Sequence, residues 1–222
     1  MKIKVCGMKE ARNIAEVARL QPDYMGFIFY SRSPRFAGET PPVALEALPP
    51  ETLRVGVFVN AARDYVARQA ARYRLDLLQL HGDETPEGCA RLKSGYKIIK
   101  AFGIQSEEDF AALHRYEGVC DYFLLDTKTP LRGGSGEKFD HRLLAGYRSK
   151  TPFFLSGGIA PGDAANLADL RLPCCEALDV NSRFEASPGV KNVAALQKFI
   201  EAIRAESSRA IEGHHGKNVI RA

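Results

Sequence analysis

Apolar, β-branched runs recur along the chain at residues 3–6, 24–29, 53–59, 75–80, 97–102, 122–125, 152–155 and 177–180. Between them lie segments whose apolar positions keep a helical period. Residues 8–20 place Ile14, Val17, Ala18 and Leu20 on one side. Residues 62–73 do the same with Tyr65, Val66, Gln69, Ala70 and Tyr73, and residues 193–205 with Leu196, Phe199, Ile200 and Ile203. Further helices are predicted at 43–48, from about 84 to 92, and from Ser106 onward, where Asp109 completes a capping box in place of the usual Glu or Gln. Strand and helix alternating in this way predicts a parallel α/β sheet.

Eight such units in about 205 residues predict a single (β/α)8 TIM barrel over residues 1–206. A doubly wound sheet would have five or six strands and a nucleotide fingerprint after the first, and no GxGxxG follows residues 3–6. Residues 207–222, with His214-His215 and little periodicity, are expected to form a flexible C-terminal tail.

Composition narrows the picture modestly. The 222 residues are 45% hydrophobic and 26% charged, with a net charge of +4. No Lys/Arg block stands out and the aromatics do not interleave with basic residues, which speaks against nucleic acid as a partner. A phosphorylated small molecule suits the charge. No apolar stretch is long enough to span a bilayer, and the N-terminus enters a strand without a signal-peptide core. Cys6, Cys89, Cys120, Cys174 and Cys175 are an odd count without paired metal spacing, as expected of reduced thiols in a cytoplasmic protein.

In a barrel of this kind the C-terminal strand ends converge on one mouth. Those positions here hold Cys6, Phe29 to Arg35, Asn60, His81, Phe102, Asp126, Ser156-Gly157-Gly158 and Asp179 to Arg183. The set lacks a carboxylate and histidine cluster suited to a divalent metal, so metal-free acid–base chemistry is expected. Cys6 closes the first strand. A nearby helix N-terminus, expected near Met8, or a cation would enrich its thiolate. Asp126 ends the sixth strand and opens a long loop with three glycines, Lys128 and Arg132, the pattern of an active-site lid. One group that removes a proton and another that donates one is what a sugar isomerase needs, and Asp126 as the donor needs a raised pKa.

Gly157 and Gly158 after the seventh strand could be a mere tight turn, but with Asn181, Ser182 and Arg183 after the eighth they are expected to form the two halves of a phosphate cradle. In a loop stiffened by Pro34, Arg35 or Arg32 can fork onto a ligand carboxylate, though on the residues alone a solvated surface arginine is the favoured reading. His81 either contacts substrate or is hydrogen-bonded at a turn. Lys97 and Lys100 raise Schiff-base chemistry, but Lys97 only begins its strand.

Together, Lys4-Val5-Cys6-Gly7-Met8, Gly26 to Phe29 with Ser33-Pro34-Arg35, Val55 to Phe58, Leu78 to Asp83, Leu125-Asp126 with the glycines after it, Leu155 to Ile159, and Asp179 to Ser182 with Pro188 to Asn192 resemble the phosphoribosylanthranilate isomerases of tryptophan biosynthesis. The resemblance runs in order from residue 2 to about 204. It implies an Amadori rearrangement of a phosphorylated sugar–anthranilate conjugate without metal or organic cofactor; separately, a monomer or homodimer is expected. Carried over by position, Cys6 is the general base and Asp126 the general acid. Arg35 binds the anthranilate, and the two loops hold phosphate. His81 and Asp179, from their strand-end positions, are expected to contact substrate. The chain departs from the family at two positions. Arg183 stands where glycine is usual, implying a left-handed residue or a reshaped loop, and His141 stands where tryptophan is common. The sister isomerase of histidine biosynthesis is the nearest alternative, but it uses a carboxylate where this chain has Cys6. A non-enzymatic phosphate-binding barrel would not require the thiol and carboxylate together.

Overall fold

Eight strands pair in parallel and in sequence order, β1 closing against β8. They are β1 (Lys2–Val5), β2 (Tyr24–Ile28), β3 (Leu53–Phe58), β4 (Leu77–Leu80), β5 (Lys97–Ile104), β6 (Tyr122–Thr127), β7 (Phe153–Leu155) and β8 (Cys175–Val180). The computed structural model describes residues 1–127, 140–169 and 172–215. The expected lid, from Lys128 through Phe139, lies outside the described residues.

The apolar runs become strands because a parallel barrel is covered on both faces. Inward positions Tyr24, Val55, Leu77, Ile99, Ala101, Leu124, Phe154 and Ala177 fill the barrel as one apolar cluster. Outward positions such as Ile3, Phe27, Phe58, Leu78 and Phe123 pack beneath the helices in a second. Phe154 meets Tyr24 and Tyr122 edge-on, at ring-centroid distances of 5.0 and 5.4 Å, plugging the barrel below the mouth.

The crossovers are less regular than the eightfold pattern predicts. Four are carried by α-helices: α1 (Ala11–Ala18), α2 (Arg63–Tyr73), α3 (Pro86–Lys93) and α4 (Ala164–Asp169). The other three, at Pro42–Ala47, Glu107–Tyr116 and His141–Gly146, are 3-10 helices. Pro41 and Pro42 at the start of the first, with Pro49 and Pro50 just beyond it, leave little chain free to propagate an α-helix. The cap foreseen at Ser106 is made, the Asp109 carboxylate accepting from the Ser106 backbone N–H at 3.1 Å. The final helix, α5 (Val193–His215), runs well past the expected stop near residue 205 and through both tail histidines. After β8 a short hairpin, β9 (Glu185–Ser187) and β10 (Val190–Lys191), folds back toward the mouth. Among the described residues no helix is long and apolar enough to cross a membrane.

Candidate active site

Alternation along β1 turns Lys2, Lys4 and Cys6 to the inside of the barrel, one above another. Cys6 follows the last residue of β1 and is held there by its backbone N–H donating to Val180 at 2.9 Å. Its side chain is buried. Gly26 on the neighbouring strand makes the room, since a Cβ there would stand 2.8 Å from Cys6 Sγ and 3.1 Å from Cys6 Cα. Gly7 is constrained twice over. Its φ is +76°, and a Cβ would lie 2.6 Å from Asn181 Oδ1 and 2.8 Å from Arg35 Cδ.

Below Cys6 lies a fully buried ammonium. Lys4 Nζ donates to Asp179 Oδ1 at 2.9 Å and to Gln79 Oε1 at 2.8 Å, and reaches the Cys6 thiol as well. Gln79 passes the polarity onward, its Nε2 lying 2.9 Å from Nδ1 of His81. An amide nitrogen can only donate, so Nδ1 accepts and the proton of the neutral imidazole is assigned to Nε2. That nitrogen points at Asp126 Oδ2, 3.8 Å away. One polar chain, Asp179–Lys4–Gln79–His81–Asp126, therefore runs under the mouth from β8 to β6. Lys4 and Gln79 lie inside the strand-end motifs but are not themselves among the candidate site residues. A signal for them exists all the same, because a polar residue on an inward strand position must find a partner or lose several kcal/mol.

Asp126 lies within β6, not beyond it, because Gly103 and Ile104 of β5 continue the pairing with Asp126 and Thr127. Its Oδ1 accepts from the Thr127 N–H at 2.8 Å. Burial lifts the Asp126 carboxyl and the bond from Thr127 opposes this. Asp179 adds to the lift, while Lys4 and Ser156 pull down, leaving the pKa at about 6. Burial also dominates at Cys6, pushing the thiol up against the pull of Lys4 and Lys191, with Asp179 on the side of burial. The thiolate enrichment expected from a helix N-terminus is absent, since α1 starts only at Ala11. Burial likewise lifts Asp179 and would depress Lys4, but the two charges beside each other keep the ammonium protonated.

Gly157 and Gly158 adopt φ of +95° and +63° after β7, a left-handed turn that strongly favours glycine. Asn181 and Ser182 follow β8, and Ser182–Phe184 make a 3-10 turn. Arg183 sits exposed in that turn and is not among the residues with positive φ, so the left-handed alternative does not hold. His141 opens the 3-10 helix that follows the lid segment. Lys100 is buried with its three donors on the carbonyls of Leu80, Gly82 and Ala101, at 3.2, 2.8 and 3.0 Å, which removes the reason to read it as a Schiff-base nucleophile. Arg35 does reach the mouth, but its guanidinium forks onto Glu185 at 2.8 and 2.7 Å. Among the described residues no group of three or more His, Cys, Asp or Glu side chains could hold a metal ion.

The family model for N-(5'-phosphoribosyl)anthranilate (PRA) isomerase matches residues 3–202. The chain belongs to that family. A Parabacteroides distasonis member, N-(5'-phosphoribosyl)anthranilate isomerase, is 49% identical over 207 residues, covering 91% of this chain and 93% of its own. The crystal structure of the Thermotoga maritima phosphoribosyl anthranilate isomerase superposes with a TM-score of 0.82 at 33% identity, covering 92% of this chain and 99% of that one. Another crystal structure of the isomerase, in complex with reduced 1-(o-carboxyphenylamino)-1-deoxyribulose 5-phosphate, superposes at 0.77 with 29% identity and the same coverage. The family is one of isomerases, and this chain is an isomerase on the same barrel.

Proposed function

We propose that the chain converts N-(5-phosphoribosyl)anthranilate to 1-(2-carboxyphenylamino)-1-deoxyribulose 5-phosphate in the cytoplasm, with Cys6 as general base and Asp126 as general acid. The observation that carries this reading is the pairing, at one barrel mouth, of a buried thiol with a carboxyl whose affinity for protons is raised. Asp126, with a pKa of about 6, is an acid able to donate near neutrality. Its proton goes to the ring oxygen of the furanose. The C1–O bond breaks, and the anthranilate nitrogen supplies the electron pair that makes a C1=N iminium.

That cation makes the C2 hydrogen acidic and favours the thiolate form of the buried Cys6 nearby. Cys6 takes the C2 proton, and the electrons of the C–H bond form the C1=C2 double bond of an enolamine. Ketonisation then moves the hydroxyl proton off oxygen and places a proton on C1. Gly157 and Gly158, with Asn181, Ser182 and Arg183, hold the phosphate, and binding there orients the sugar above the two reacting groups. Arg35 receives the anthranilate carboxylate. His81 and Asp179 line the sugar site, His81 with its Nε2–H turned to Asp126.

The reading is tested by following the loss of phosphoribosylanthranilate fluorescence on addition of the protein, with the bis-phosphate substrate of the histidine-pathway isomerase as control. Turnover of the first and not the second is expected. No turnover of the first, or preference for the second, would sink it.

A further inference from the structure

Arg35 is held in place by a carboxylate of the chain itself. Its Nε and Nη2 donate to both oxygens of Glu185 at 2.8 and 2.7 Å, with the two side chains 12% and 5% exposed. The same Glu185 Oε1 accepts from Lys191 Nζ at 2.7 Å and from the Gly189 N–H at 3.0 Å. Lys191 Nζ in turn donates to Asn181 Oδ1 at 2.7 Å, at the start of the loop after β8. The Lys191 backbone is pinned to α1, where Asn13 Oδ1 accepts from its N–H at 2.7 Å and Asn13 Nδ2 donates to its carbonyl at 3.0 Å. The Arg35 stem lies against Gly7, beside Cys6.

Two features follow from this arrangement. A guanidinium has five N–H donors in a rigid plane, and the Glu185 fork occupies one edge of it, leaving another edge for a ligand. The cluster also holds two cations, Arg35 and Lys191, against one carboxylate, so its buried charge is balanced by the arrival of one more carboxylate.

We propose that Glu185 is a positioning residue for substrate selectivity: it aims the free edge of Arg35 at an aromatic carboxylate and, through Lys191 and Asn181, fixes that edge relative to the phosphate loop. The proposal rests on the reading of Arg35 as the carboxylate-binding residue. Glu185 stays ionised throughout the working range, because its bonds to Arg35 and Lys191 outweigh burial and hold its pKa at about 2. Its role is therefore steric and electrostatic, without a titration of its own.

The test compares two substrates, N-(5-phosphoribosyl)anthranilate and the same conjugate of aniline, which lacks the carboxylate. Products are quantified by chromatography on wild type, Glu185→Gln and Arg35→Ala. Both substrates are measured on each preparation, so the ratio of their kcat/KM values does not depend on the folded fraction. Wild type is expected to prefer the anthranilate conjugate. Glu185→Gln should erase most of that preference, about tenfold to a hundredfold as for loss of a charge-assisted contact, through KM with little change in kcat. A Glu185→Gln variant that loses both substrates equally would mark Glu185 as merely structural, and one that binds the anthranilate conjugate more tightly would mark it as a competitor for Arg35. Either result overturns the proposal. If Arg35→Ala keeps the wild-type preference, the carboxylate reading of Arg35 itself falls and takes the proposal with it. If Arg35→Ala loses the preference while Glu185→Gln keeps it, the proposal alone falls.

Discussion

Replacing Asp126 by asparagine should stabilise the protein while destroying its activity, and the size of the gain can be worked out. The folded carboxyl has a pKa of about 6 against an ordinary value of 3.8. At about 1.4 kcal/mol per pH unit this amounts to about 3 kcal/mol held against the folded state. The side chain is 16% exposed, so solvent screening removes part of that, leaving about 2 kcal/mol as the expected effect. The sign depends on pH. The folded state binds this proton more tightly than the unfolded state does, so wild type loses stability as pH rises from about 4 to about 6 and is level above that. The amide of the Asp126→Asn variant never ionises and so escapes that loss, and its Oδ1 can still accept from the Thr127 N–H. Urea unfolding of both proteins at pH 4, 5, 6, 7 and 8 measures the difference. A gap near zero at pH 4 that widens to about 2 kcal/mol by pH 7 supports the argument. A gap that is constant with pH, or a variant less stable than wild type at pH 8, would refute it.

Three other perturbations bear on the same site. Gly26→Ala would put a methyl group 2.8 Å from Cys6 Sγ and 3.1 Å from Cys6 Cα, so it should cost about 1–3 kcal/mol in thermal or urea unfolding and lower kcat by moving the thiol. Lys4→Met leaves the Asp179 carboxylate buried without its partner, an expected loss of about 3–5 kcal/mol, whereas Lys4→Met with Asp179→Asn should recover much of it. A double-mutant cycle by urea unfolding would then show coupling, and strictly additive losses would contradict the pairing. Arg35→Ala should raise KM for the anthranilate conjugate more than it lowers kcat in steady-state assays.

The strands are readable because each parallel strand is buried on both faces and so reads as a nearly unbroken apolar run. Their ends are less so. β6 extends through Thr127 only because β5 is long enough to pair with it, a fact about its neighbour that the run at 122–125 does not contain. The crossovers between Pro42 and Ala47 and between Glu107 and Tyr116 fall where helix is expected, but pattern alone does not separate an α-helix from 3-10 turns there. In the site, Cys6, Asp126 and the glycine pair stand out by chemistry and by their strand-end positions. Lys4 and Gln79 lie inside conspicuous motifs, and the alternation that turns them inward is the clue to their role. Glu185 cannot be found that way. It meets Arg35 across 150 positions of sequence, and only the closing of β8 against β1 brings the two together. The balance at Cys6 is not readable in the sequence for a related reason, since burial outweighs the pull of Lys4 there and burial is a property of the closed barrel.

The turnover number of Cys6→Ala tests the account most directly, measured by the loss of phosphoribosylanthranilate fluorescence at saturating substrate. With the base removed and the phosphate loops untouched, kcat should fall by about 10²–10⁴-fold while binding of the product phosphate ester is retained. Turnover near that of wild type would contradict the assignment of Cys6 and with it the mechanism.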